Sequence, residues 1–285
     1  MDSNPTYQSV QDRYGQLADR SSTCEQRKAE QTIAQAFGYD AGDLSSIPQA
    51  ANLGVSCGNP LALANLREGE TVIDLGSGGG IDVLLAAKKV GPQGKAIGVD
   101  ITKSMLELAR KNAESASASN TSFIEASITS IPLPDSTASC IISNCVVNLV
   151  PTVDKHLVFK EMFRLLQSGG RVAISDILTR KELPQEVVNS LSFYVGCIAG
   201  ASQVHEYEKS LSDAGFKDIV IVDTHSDINI YKDLVQGEMK AEENSSQSKP
   251  SCCGGAQGND APNENLLEHD FNEWAGSFQI YAVKQ

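Results

Sequence analysis

Three textures follow one another along the chain. Through about residue 66 the sequence is polar with helical patches, of which residues 25–37 are an example. From about residue 70 to 223, short apolar runs alternate with segments of helical spacing. From about residue 240 to 265 the composition collapses into Ser, Asn, Gln, Gly and Glu, a stretch too polar to bury itself that predicts a flexible linker or loop.

The middle region predicts the fold. Thr71-Val72-Ile73-Asp74-Leu75 is an apolar run ending in a glycine cluster, which reads as a strand. Ile81, Leu84, Leu85 and Lys88 follow at helical spacing, and Gly91-Pro92 stops them. Residues 95–100 predict a second strand. Residues 104–113 predict a helix with Met105, Leu108 and Ala109 on one face. Residues 121–126, 140–144 and 171–176 predict the third, fourth and fifth strands, with a helix over 157–166. Residues 204–214 read as a helix closed by Gly215, and 219–223 and 277–283 as two late strands on either side of the polar stretch. Strands alternating with helices imply right-handed crossovers and a mostly parallel sheet covered on both faces. If the late strands pair, the polar stretch is a surface excursion rather than a tail.

Composition narrows the partners. With 285 residues and 41% hydrophobic content there is ample material for a core. The formal charge of −13 would repel phosphate backbones and anionic membranes, so neither nucleic acid nor a lipid surface is expected as a partner. The first ten residues lack a basic start followed by an apolar stretch, and no apolar run approaches the ~18 residues of a membrane span. A cytoplasmic protein with reduced thiols is the expectation. Seven cysteines, an odd number, argue against complete pairing within the chain.

The strongest local motif is Asp74-Leu75-Gly76-Ser77-Gly78-Gly79-Gly80, at a strand-to-helix turn where open α/β sheets bind ligands. A phosphate-binding loop would need a Lys-Ser/Thr pair after the glycines, and a dinucleotide fingerprint would need glycine where Ile81 stands. Asp74 would repel either anionic ligand. S-adenosylmethionine, with a cationic amino group and a sulfonium, suits an acid there. Asp100 ends the second strand, where a carboxylate can accept ribose hydroxyls. By the same strand-end logic Ile101 packs on the adenine, Ile128 flanks it and Asn144 lies near the methionine part, beside Gly76, Ser77 and Gly78.

The cysteines suggest what receives the methyl group. Taken singly, Cys24, Cys57 and Cys197 read more readily as small buried hydrophobes than as ligands. Cys145 is different, because it follows the fourth strand at the edge where a substrate must sit. The four histidines show no metal-ligand spacing, and no Cys-x-x-Cys pair points to zinc. The adjacent Cys252-Cys253 reads as a redox-sensitive spot on a linker, with capture of a thiophilic ligand as the competing reading.

At these residues the sequence resembles the arsenite methyltransferase family. ANLGVSCGNP, DLGSGGG, SNCVVNLVP, GGRVAISD and GCIAGA match its motifs in order, over roughly residues 14–223. The resemblance implies a seven-stranded, mostly parallel class I methyltransferase sheet with a smaller arsenic-binding portion. It implies S-adenosylmethionine as cofactor, trivalent arsenic, free or as a thiol conjugate, as substrate, and thioredoxin or glutathione as reductant. Carried over, Cys57, Cys145 and Cys197 are thiolate ligands for arsenic, Cys24 is the disulfide-exchange partner of Cys57, and Tyr14 belongs to a cofactor-covering segment. The implied division is residues 1–66 covering the cofactor, 67–180 binding it, and 181–285 carrying arsenic-binding and C-terminal parts. Thiolates are soft ligands suited to a soft acceptor. Two other functions stay open: a methyltransferase acting on carbon or oxygen of a small organic molecule, and a non-catalytic thiol protein that sequesters soft metals.

Overall fold

A computed structural model describes residues 5–188, 198–230, 232 and 270–285 of the chain. Its centre is a seven-stranded sheet. In chain order the strands are β1 (Thr71–Leu75), β2 (Lys95–Asp100), β3 (Thr121–Glu125), β4 (Ala138–Asn144), β5 (Leu166–Thr179), β6 (Lys217–Asp223) and β7 (Ala275–Val283). They lie in the order β3-β2-β1-β4-β5-β7-β6. The first five are parallel, and β7 runs antiparallel between β5 and β6. The two late strands therefore pair as expected. Residues 217–223 and 275–283 complete the same sheet as residues 71–179 rather than forming a separate layer. The polar stretch at 240–265 lies outside the described residues.

Alternation along each strand feeds two cores. Ile73 and Leu75 point into one cluster with Ile141, Phe159 and Met162, while Val72 points into the other with Leu84, Leu85 and Val90. Helix α5 (Ile81–Val90) buries nearly every side chain against β1 and β2, as a crossover between parallel strands must. Helices α6 (Lys103–Ser115) and α7 (Lys155–Leu165) complete the layers, and Phe159 of α7 meets Tyr207 of the helix at Val204–Ala214 edge to face at 4.9 Å.

Four helices precede the sheet: α1 (Pro5–Asp19), α2 (Cys24–Ala36), α3 (Ala41–Ser45) and α4 (Pro60–Ala64). A capping box between Thr23 and Gln26 starts α2 immediately before Cys24. Helix α1 lies across α6 and the short turn at Val147–Leu149, and Gln11 Nε2 donates to the Ile101 carbonyl at 3.0 Å. This places α1 over the carboxyl ends of the strands. Among the described residues no helix is long and apolar enough to cross a membrane.

Opposite the ligand edge, Arg171 of β5 fixes the loop into β1. Its guanidinium donates to both oxygens of Glu70 at 2.8 Å and to the Asn65 carbonyl at 3.0 Å. Burial alone would raise the Glu70 pKa, but the Arg171 hydrogen bonds outweigh it and hold it below the usual carboxylate value. Removing one partner of a buried pair leaves the other charge uncompensated. Glu70→Gln is expected to lower stability by about 3 kcal/mol in urea unfolding near pH 7. A depressed carboxylate stabilises above its unfolded pKa and ceases to as pH falls through the folded value, so the deficit should shrink below about pH 4.

Candidate functional site

The sheet order reverses between β1 and β4, and there the carboxyl ends open a cleft of about 980 Å³, counting its mouth. The turn after β1 builds its floor. Gly76 sits at φ +70°, and a Cβ there would come 2.4 Å from Val146 Cγ2, so both conformation and space require glycine. The Gly76 and Ser77 N–H groups donate to the Val99 carbonyl at 2.8 and 3.0 Å, tying this turn to β2. The Gly78 N–H donates to Asp100 Oδ2 at 2.9 Å and the Thr102 N–H to Oδ1 at 2.8 Å. Each Asp100 oxygen thus holds one backbone donor and keeps capacity for a ligand hydroxyl.

The turn leaves room for a polar ligand. Ser77 lines the cleft, and its buried hydroxyl has no hydrogen-bond partner among the described residues. A Cβ built on Gly78 meets nothing within 4 Å, so the backbone lies open to the cleft. Three buried carboxylates, Asp74, Asp82 and Asp100, converge on it, and none is ion-paired to another described residue. Burial raises the pKa of all three. Asp74 is pushed furthest, by burial and then by the neighbouring charges of Asp82 and Asp100. Asp82 is pushed up to about 6 by burial, against hydrogen bonds from Tyr39 and Asn144. Burial also raises Asp100, opposed by the Thr102 and Gly78 amides. A cleft lined this way favours a ligand carrying positive charge and hydroxyl groups.

Asn144 joins this acidic wall to the cysteines. Its Nδ2 donates to Tyr39 Oη and to the Gly58 carbonyl, both at 2.8 Å, while Tyr39 Oη donates to Asp82 at 2.8–2.9 Å. Asn144 Oδ1 accepts the Cys57 N–H at 3.1 Å. Ser277 of β7 donates its hydroxyl to the Cys57 carbonyl at 2.5 Å. A Cβ on Gly58 would fall 2.5 Å from Ser175 Cβ, so only glycine lets this loop lie flat on β5.

The chain leaves β4 at Cys145, whose φ of +60° is left-handed and unusual for a residue with a side chain. Its N–H donates to the Ser175 carbonyl at 2.9 Å, and its sulfur is turned back toward Cys57. The two form a disulfide with Cα atoms 5.9 Å apart. Cys145 lines the cleft, and Cys57 lies fully buried behind it. Val10, Leu149, Ile177 and Ile198 pack around the pair.

Tyr14, Asp74, Gly76, Ser77, Gly78, Asp100, Ile101, Ile128, Asn144 and Cys145, all singled out from the sequence, line this one cleft. Cys24 does not join them. It is exposed on α2, while Cys57 is bonded to Cys145, because the Gly58 loop and the Cys145 turn bring those two backbones together. Cys197, Cys252 and Cys253 lie outside the described residues. Burial pushes Cys140 up to about 12, which leaves it an inert core thiol.

Three residues were missed: Tyr39, Asp82 and Asp176. Asp82 reads as an ordinary acid in the first turn of a helix. Tyr39 carries no motif. Asp176 had a usable signal, since it ends its predicted strand as Asp100 ends β2. It is fully buried, with one oxygen close to both the Cys57 and Cys145 sulfurs.

Residues 66–215 match a family described as a methyltransferase domain. The chain is 43% identical over 198 residues to the arsenite methyltransferase of Halobacterium salinarum, covering 70% of this chain and 50% of that protein. It is 30% identical over 217 residues to the arsenite methyltransferase of Homo sapiens, covering 73% and 57%. The chain therefore spans about half the length of the curated relatives it matches. Among solved structures it is similar to CrArsM, an arsenic (III) S-adenosylmethionine methyltransferase from Chlamydomonas reinhardtii. That match has a TM-score of 0.57 at 25% identity and covers 89% of this chain and 73% of that one.

The raised Asp82 pKa has a measurable sign. A carboxyl whose folded pKa lies above its unfolded value contributes stability in acid and loses it as pH rises through the interval, here from 3.8 to about 6. Asp82→Asn should therefore gain on the wild type, by up to about 3 kcal/mol, as ligand-free protein is taken from pH 4 to 7. Thermal unfolding of both proteins across that range checks it. A constant difference would contradict the assignment.

Proposed function

The chain belongs to the methyltransferase-domain family, and from that premise we propose that it methylates trivalent arsenic, arsenite and methylarsenite, with S-adenosylmethionine as donor and cysteine thiolates as the substrate's ligands, for arsenic detoxification. One observation carries the reading: the sulfur of Cys145 lines the same cleft as Asp74 and Asp100 and is paired there with Cys57.

When bound, the donor supplies an electrophilic methyl group on a positively charged sulfur. The residues around it have separate tasks. Asp74 faces the cationic amino group, and Asp100 accepts the ribose hydroxyls with the Gly78 amide fixing its orientation. Ile101 and Ile128 flank the base. Tyr14 of α1 covers the cleft, and Asn144 stands at the methionine end. The buried carboxylates favour the cation, and a dry wall makes loss of that charge on transfer favourable.

Cys57, Cys145 and Cys197 hold the arsenic on this reading. Cys197 is assigned by its motif and by its neighbour Ile198, which packs in the apolar cluster around the other two. Three thiolates make a pyramid whose apex is the arsenic lone pair. No general base is needed, because the nucleophile carries no proton, and catalysis is mainly alignment of the lone pair with the methyl–sulfur bond. The Cys57–Cys145 disulfide must first be opened by a dithiol or by two monothiols, which take the place of the broken bond by exchange. Transfer takes arsenic from the trivalent to the pentavalent state. Two thiolates return it by giving up two electrons and joining as a disulfide. Cys24, exposed and close in sequence to the cleft-covering helices, passes that oxidation outward to thioredoxin or glutathione. These steps need a reducing compartment, so the reading places the protein in the cytoplasm. It also assigns residues 1–66 to covering the donor and residues 181–285 to completing the arsenic site.

The test is product speciation. Reduced protein with arsenite, a dithiol and S-adenosylmethionine should yield methylated arsenicals, read by chromatography with mass detection. Cys145→Ser and Cys197→Ser should each lower total methylation at least a hundredfold. Either variant turning over at the wild-type rate sinks the ligand assignment. Arsenite binding with no binding of S-adenosylmethionine would instead identify a sequestering protein.

A further inference from the structure

The oxygen of Asp176 and the sulfurs of Cys57 and Cys145 lie within 4.8 Å of one another, and all three residues are buried. The methylation reading uses the sulfurs and gives the carboxylate no task. Asp176 is nevertheless held firmly. Its Oδ1 accepts from Asn148 Nδ2 at 2.8 Å and from the Ile177 N–H at 3.1 Å. Its Oδ2 receives a long contact from Tyr207 Oη at 3.4 Å, which leaves that oxygen able to bind something else. Lys155 is also buried and donates to Ser202 Oγ at 2.9 Å.

Two thiolates and a carboxylate on three sides of one point are a donor set for a borderline-soft divalent cation. Zinc with bonds of roughly 2.0–2.3 Å spreads tetrahedral ligand atoms about 3.3–3.8 Å apart, a spacing this cluster can take once the disulfide is open. We propose that the reduced protein binds zinc or cadmium between Cys57, Cys145 and Asp176, a second kind of ligand for the pair. The cation enters from the cleft, which Cys145 lines. The chemistry balances simply. A dithiol reduces the disulfide and becomes a disulfide itself. The cation then displaces one proton from each thiol, and a third where Asp176 is protonated, and the protons pass to solvent as the two sulfurs and the carboxylate oxygen close on it. Because the site shares both sulfurs, zinc or cadmium excludes arsenic. That last consequence rests on the function proposed above, whereas the site itself does not.

The experiment uses the full chain, reduced with a dithiol and then freed of it, with cadmium alone and neither arsenic nor S-adenosylmethionine. One equivalent should bind with a thiolate-to-metal absorption band, and the disulfide form should show none. The 113Cd resonance should report two sulfurs with oxygen ligands. Asp176→Asn should weaken cadmium binding at least tenfold while changing arsenite affinity less than twofold. The proposal falls if no band forms at one equivalent, if the resonance reports three or more sulfurs, or if the amide variant keeps wild-type affinity. It falls equally if cadmium and arsenite weaken together, since Asp176 would then only be propping the cysteines in place. If Asp176→Asn does not fold, the 113Cd resonance of the wild type decides alone. Failure of methylation would leave each of these readings untouched.

Discussion

A carboxylate taken out of water needs donors or a cation, and three of them are taken out of water together at the carboxyl edge of this sheet. Asp74 and Asp100 arrive there because parallel strands all end on one side, and Asp82 because its helix starts there. Their partial satisfaction dictates much of the surrounding architecture. The Gly78 turn must lie close enough to give Asp100 its amide, and residues 38–60 must wrap back far enough to bring Tyr39 to Asp82. What these donors leave unsatisfied is positive charge. The free cleft is therefore an unfavourable electrostatic arrangement held together by the hydrophobic cores beneath it, and a cationic ligand relieves it.

The sulfur side of the site depends on the other end of the chain. Ser277 and Cys57 are separated by 220 residues, and their hydrogen bond fastens the Gly58 loop to the sheet. It exists because β7 is inserted antiparallel between β5 and β6, in register with β5 from Arg171 to Thr179. The late strand is thus part of the site. It holds Cys57 within reach of a residue on β4, while the left-handed turn at Cys145 aims the second sulfur at the first.

Much of this was legible in the chain. Short apolar runs alternating with helical spacing placed five strands within a few residues. The boundaries ran long where context overrode pattern. The Gln-Ser-Gly-Gly stretch before Arg171 is polar, yet it belongs to β5, whose pairing with β7 runs to Arg171 and whose neighbour β4 reaches Leu166. Asp74, Asp100 and Asn144 were legible because each stands at or beside a strand end, whereas Tyr14, on α1, came from the resemblance alone. Tyr39 was not legible, because its role arises from a long-range approach to Asp82 that no local spacing encodes. The pairing of Cys57 with Cys145 was equally hidden. It follows from a glycine contact across strands and a left-handed residue, and neither shows as a motif.

Asn144 explains why the two halves of the site can coexist. On one side stand carboxylates whose pKa values burial already raises, and on the other stand sulfurs that must become thiolates before they can bind a soft ligand. A fourth acid at the end of β4 would add a repelling charge between them. An apolar residue would leave Tyr39 and the Cys57 amide without their partner in a buried place, at about 1–3 kcal/mol for each lost bond. A neutral amide avoids both penalties, because it donates toward the acids and accepts from the cysteine loop. Asp82, Tyr39 and the backbone of Cys57 are thus joined in one hydrogen-bonded chain through this side chain.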